Sequence, residues 1–170
     1  AFARETLVAI QSRGPWIGEI VPLPPERRTR LYLAMPFYDG ETLEARLARR
    51  PPIALTEGVT IGIGLAKAVA ALHRAGVIHR DIKPENIVLL KDGGLKLLDF
   101  GVARLAKAED PGLETVPGTA SYMAPEMREG NAGDELTDIY ALGVTLYRAV
   151  SGHYPYGEIE PFSHPRLKAP

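Results

Sequence analysis

The chain has 170 residues, 45% of them apolar, with a formal net charge of -1. That is the size of one domain with enough apolar material for a core, and the near-neutral balance argues against a nucleic-acid partner or an acidic membrane surface. The absence of cysteine excludes disulfides and thiolate metal sites and agrees with a cytoplasmic location, although the parent protein could still be tethered to a membrane.

Taken in chain order, residues 2–10 read as a helix stopped by Gly14-Pro15. Residues 16–23 and 30–37 read as two strands separated by Pro24-Pro25. Asp39-Gly40 reads as a turn, and residues 42–49 as a short amphipathic helix ended by Pro51-Pro52. Thr56 is expected to cap a helix that runs to about Arg74, with Gly76 as its stop. This helix is apolar on most sides, which predicts deep burial. Its apolar run, residues 59–72, is broken by Lys67 and falls short of the ~20 residues a membrane span needs.

Short strands are expected at 77–78, 87–90 and 95–98, the last two joined by a turn at Asp92-Gly93-Gly94. Residues 99–126 form a long stretch punctuated by glycine and proline, the kind of irregular segment that is functional or disordered. An apolar-rich helix at 135–150 ends at Gly152. Strands first and helices after predict an α+β fold.

The chemistry is concentrated in His79-Arg80-Asp81-Ile82-Lys83-Pro84-Glu85-Asn86, followed by Asp99-Phe100-Gly101 and then Ala124-Pro125-Glu126. Carboxylate, ammonium and amide groups at this spacing offer a base, a phosphate contact and oxygen ligands for a hard cation. Any one of these aspartates alone reads as an ordinary turn residue; the joint pattern does not.

These strings resemble the H-R-D, D-F-G and A-P-E signatures of eukaryotic-like (Hanks-type) serine/threonine protein kinases. The resemblance implies a truncated protein-kinase-like fold. Residues 1–38 would be the remnant of the N-lobe and hinge (αC, two strands), and residues 39–170 an incomplete, mainly helical C-lobe through αF. It implies transfer of the γ-phosphoryl group of ATP, with Mg²⁺, to Ser/Thr hydroxyls of a protein substrate. Asp81 would be the base, Lys83 would counter charge on the transferred group, and Asn86 and Asp99 would hold the metal. Met35 (as gatekeeper), Pro36, Tyr38, Glu41, Val88 and Asp99 would line the nucleotide site. The proline at position 36 departs from the commoner acidic residue, yet that position offers adenine only its carbonyl, which proline retains.

The same resemblance gives Glu5 the place of the αC glutamate, whose lysine partner lies on the preceding strand. It sets Thr119 and Tyr122 at the end of the activation segment and the substrate-docking loop. There the Thr119 hydroxyl would bridge Asp81 and Lys83, and Arg80 would dock a phosphorylated activation loop. Thr115 is either that phosphosite or an exposed loop threonine. His79 and Phe100 would pack together, next to Gly101. Glu126 would pair with an arginine further downstream. Asp138 would sit in a largely apolar helix and would need backbone N–H donors from the His79–Asp81 stretch.

His73 reads as a packed or capping residue, and His153 and His164 have no partner at ligand spacing, so a zinc site is not expected. A Gly-rich loop and a strand lysine are absent, so the chain is expected to be a fragment, marginally stable and poorly active alone. Residues 152–160 resemble bacterial kinases fused to a metal-dependent (PP2C-type) phosphatase. The rival functions are a pseudokinase-like scaffold and, less favoured by the Ala124-Pro125-Glu126 segment, a small-molecule kinase.

Overall fold

The computed structural model describes residues 14–21, 24, 34–98, 119–131 and 133–157. Its elements in chain order are β1 (Gly40–Thr42), α1 (Leu43–Arg49), α2 (Leu55–Arg74), a 3-10 turn (Pro84–Asn86), β2 (Ile87–Leu90), β3 (Leu95–Leu97), a 3-10 turn (Thr119–Ser121), α3 (Pro125–Arg128) and α4 (Glu135–Ser151).

The three strands form one antiparallel sheet in the order β1-β2-β3, with Thr42 opposite Val88 and Val88 opposite Lys96. The β2–β3 hairpin turns at Asp92, whose side chain accepts from Gly94 N–H at 2.9 Å. Helix α2 lies against β3 and against α4. Its buried residues, Gly58, Ile61, Gly64, Leu65, Ala68, Val69 and Leu72, recur at helical spacing and form the centre of the core with Leu43, Ile87 and Leu97. At Gly58 the two helices approach so closely that a Cβ would lie 2.5 Å from Val150 Cγ1.

Of the strands expected at 16–23 and 30–37, the described residues make isolated bridges, Ile17 with Leu97 and Val21 with Ala34, and residues 22–23 and 30–33 lie outside the described residues. Several other expectations are corrected. Gly40, expected in a turn, starts a strand, because its bare Cα lets β1 lie flat against Leu89. No strand forms at 77–78. There the backbone bonds go to closing α2: Val77 N–H donates to Leu72 O and Gly76 N–H to His73 O, each at 2.9 Å, with Gly76 at φ 72°. Helix α2 begins two residues early, at Leu55 after Ala54, so Thr56 is not its cap. Nor is α2 buried all round. Leu55 is 71% exposed, and Val59 and Ile63 54% each.

Helix α2 is also long and apolar enough to cross a membrane by length and composition, 20 residues with an 18-residue stretch of mean hydropathy 1.4, contrary to the expectation that no run qualifies. Its buried stripe packs against α4 and β3, as in a core helix. Helix α4 follows its expected span. Asp134 caps it by accepting from Leu136 N–H at 2.8 Å, and Gly152 ends it at φ 77°.

Candidate active site

The tight closure of α2 at Gly76 sends the chain directly into the loop at 79–83. His79 is fully buried. Its Nδ1 accepts from the Asp81 N–H at 3.2 Å, which leaves the ring proton on Nε2, and Nε2 donates to Leu98 O at 3.0 Å. The ring thus ties the loop to the end of β3 as a neutral donor and acceptor. Arg80 adopts φ 65°, alone among the described non-glycine residues in the left-handed region, a conformation that costs on the order of 1–3 kcal/mol.

Asp138 of α4 compensates that cost. Its carboxylate is fully buried and accepts from His79 N–H at 2.9 Å and from Arg80 N–H at 2.8 Å. A third donor, His73 Nε2 from the last turn of α2, reaches the same carboxylate at 2.8 Å. A buried charge held by three donors is stable where an unpaired one would be costly.

The reversal at Arg80 directs Asp81 toward Lys83 and Asn86. Lys83 Nζ lies 3.0 Å from Asp81 Oδ2. Asn86 Nδ2 donates to Asp81 O at 2.8 Å and to Oδ2 at 3.1 Å. Pro84 starts the 3-10 turn that brings Asn86 back beneath Asp81, and Asn86 O then accepts from Leu98 N–H at 2.8 Å. Both side chains of the Asp81–Lys83 pair keep a small window to solvent, 15% and 18% exposed. The Asn86 amide turns its NH₂ toward Asp81, so its carbonyl oxygen is the end able to meet a cation. That is hard-oxygen chemistry suited to Mg²⁺. Among the described residues no three His, Asp or Glu side chains cluster as a metal site by themselves.

The remaining expected residues are placed as follows. Met35 is 47% exposed. Pro36 follows it in the extended stretch before β1. The Tyr38 hydroxyl accepts from Glu19 N–H at 2.7 Å and its ring lies under Lys96. Glu41 pairs with Arg49 at 2.7 Å. Val88 is buried on β2, next to the β1 register that carries Glu41. The Glu126 carbonyl accepts from Asn131 N–H. Glu5, Asp99, Phe100, Gly101 and Thr115 lie outside the described residues, and Thr119 is described only as the first residue of a 3-10 turn.

Two contributors were not picked out by sequence reasoning. His73, expected to pack or cap, donates to Asp138; its place in the last turn of α2 was the available signal. Arg148 of α4 pairs with Glu44 of α1 and with Tyr122, and no sequence signal joins residues 104 positions apart.

Comparison with known proteins agrees with this geometry. Residues 4–166 match the protein kinase domain family, and the chain belongs to that family. It is 39% identical over 127 residues to the serine/threonine-protein kinase PknK of Mycobacterium tuberculosis, covering 75% of this chain and 11% of that protein. It is 41% identical over 127 residues to the serine/threonine-protein kinase PknL of the same species, covering 74% of this chain and 32% of PknL. It is 35% identical over 131 residues to a probable serine/threonine-protein kinase of Clostridium perfringens, covering 76% of this chain and 19% of that protein. The chain thus spans between about a tenth and a third of the length of these relatives.

Proposed function

We propose that this chain is part of a serine/threonine protein kinase that transfers the γ-phosphoryl group of ATP to protein hydroxyls. The observation that carries the reading is the convergence of Lys83 and Asn86 on the Asp81 carboxylate. Asp81 accepts the proton of the substrate hydroxyl as its oxygen bonds to the γ-phosphorus and the bond from that phosphorus to the bridging oxygen breaks, releasing ADP. Lys83, held 3.0 Å from that carboxylate, places a positive charge beside the group in transit. Asn86 fixes the Asp81 rotamer with its NH₂, and its carbonyl oxygen would help hold Mg²⁺, with Asp99 as the second proposed ligand. Bound Mg²⁺ would neutralise phosphate charge as it builds. Neutral His79 has its ring atoms committed to the loop and β3, so it is not a general base here. The serine/threonine preference is supported by the names of the relatives and by Lys83 at its place in the loop. A joined phosphatase domain is proposed from residues 152–160 alone, and the reading frame beyond residue 170 tests it.

The deciding experiment measures phosphate transfer from labelled Mg-ATP to a generic protein, using the full natural chain beside Asp81→Asn. The expected result is a loss of about 10²–10⁴-fold in kcat with nucleotide binding retained. Binding without transfer in the wild type would favour a scaffold role instead.

A further inference from the structure

Helix α4 carries a second polar anchor ten residues after Asp138. Arg148 forms a two-pronged salt bridge with Glu44 of α1: Nη1 with Oε2, and Nη2 with Oε1 at 2.9 Å. Nη1 also donates to the Tyr122 hydroxyl. That hydroxyl in turn lies 3.4 Å from the Tyr154 hydroxyl. The two tyrosine rings meet edge to face at 5.5 Å, and the Arg148 guanidinium sits 5.0 Å from the centre of the Tyr154 ring. One guanidinium thus joins four parts of the fold: α1, α4, the segment that carries Tyr122 and the loop after α4.

The position of Tyr122 gives this cluster its meaning. Tyr122, Met123 and Ala124 line one small crevice together with Arg80, Asp81 and Ile82, and Met127, Thr137 and Ala141 complete its lining. Tyr122 is only 3% exposed. Burial pushes its hydroxyl well above the ordinary tyrosine range, so it stays a neutral donor and acceptor. The bond to Glu44, outweighing burial, raises Arg148 as well, so the cation is permanent. A paired Arg–carboxylate fork is geometrically stiff, unlike a single hydrogen bond from a loop.

We infer that Arg148 is a positioning residue for the protein substrate: with Glu44 as its brace, it holds Tyr122 so that the 120–124 segment keeps a fixed place beside Asp81. The inference rests on the kinase reading for its substrate and adds to it which residues set substrate docking. Asp138 and Arg148 then divide the work on one helix. The first holds the loop that bears the base, and the second holds the segment that lines the crevice with it.

The test uses Tyr122→Phe, Glu44→Gln and the charge exchange Glu44→Arg/Arg148→Glu, each in the full natural chain. Tyr122→Phe keeps the ring packing and removes only the hydroxyl. Michaelis constants for a protein substrate and for ATP are read separately, together with amide hydrogen exchange. In the two single variants the protein KM is expected to rise roughly tenfold, the loss of a hydrogen bond to a charged group. The ATP KM should stay within about twofold, and exchange should quicken at 120–124 but not at 79–86. The charge exchange is expected to restore part of the protein KM, because the carboxylate it places on α4 can accept from the Tyr122 hydroxyl while pairing with the guanidinium it places on α1. A parallel rise of both Michaelis constants, or unchanged exchange at 120–124, overturns the inference. A wild type that transfers no phosphate overturns the kinase reading separately, and the exchange measurement then still decides whether Arg148 holds that segment.

Discussion

The Asp138 carboxylate accepts the backbone N–H of Arg80, the residue immediately before Asp81, at 2.8 Å while Arg80 holds φ 65°. A buried charge on one helix therefore stabilises an unfavourable backbone turn 58 residues earlier, and that turn determines where the Asp81 carboxylate points.

Asp138→Ala strands two backbone N–H groups and the His73 ring. It is expected to cost about 3–5 kcal/mol, from about 1–3 kcal/mol for each buried donor left unsatisfied. Asp138→Asn keeps one good acceptor and should cost roughly half as much. In both, kcat should fall about a hundredfold through misplacement of Asp81. Thermal melts together with steady-state kinetics check this. A full loss of stability with kcat unchanged would separate Asp138 from the site.

Lys83→Met removes the cation beside Asp81 and shortens the unbranched side chain by only one atom. The expected effect is a fall in kcat of about 10²-fold with little change in protein KM, because the charge matters most as the phosphoryl group moves. Lys83→Arg should recover only part, since a planar fork does not replace a compact ammonium 3.0 Å from the carboxylate. Single-turnover rates distinguish the two variants.

The buried Tyr122 hydroxyl gives a pH dependence whose sign can be worked out. Its folded-state value is raised above the ordinary 10.0, first by burial and then by its bond to Tyr154. Below about pH 10 the hydroxyl is protonated whether the chain is folded or unfolded, so its contribution to stability is fully present there. Above about pH 10 the unfolded chain loses this proton first, and stability falls by up to about 1.4 kcal/mol per pH unit for one proton. Tyr122→Phe should therefore show a shallower decline in melting temperature above about pH 10 than the wild type. Identical alkaline slopes would contradict it.

Two glycine substitutions are expected to act in opposite directions. At Gly40 a Cβ would lie 2.1 Å from Leu89 O, a backbone atom that cannot step aside without breaking the β1–β2 ladder. Gly40→Ala should destabilise by about 3 kcal/mol. At Gly143, inside α4, a Cβ meets nothing within 4 Å among the described residues, and Gly143→Ala should stabilise by about 0.5–1 kcal/mol through helix propensity. Chemical denaturation of both variants measures the contrast.

The clustering of Asp81, Lys83 and Asn86 was legible because they are close in sequence, so a short turn suffices to bring them together. The need of Asp138 for backbone donors was legible for a different reason: a carboxylate in an apolar helix has few ways to be satisfied. The span of α4 followed from its richness in apolar residues and from Gly152. Less could be read where long-range contact overrides local preference. Gly40 carries turn chemistry but is recruited into a strand by its neighbour β2. Val77 carries strand chemistry but spends its N–H on Leu72. The Arg148–Glu44 pair joins residues whose partnership exists only once α1 and α4 are folded, and nothing in either local sequence announces it.

The shared carboxylate of Asp138 also bears on how natural variants of this chain should be interpreted. A substitution in the first turns of α4, or at His73, would be classed by position as a lesion of the scaffold. Through the Arg80 turn it would be felt as a lesion of the chemistry, so a survey of inactive alleles should recover a cluster on α4 that behaves like Asp81 itself.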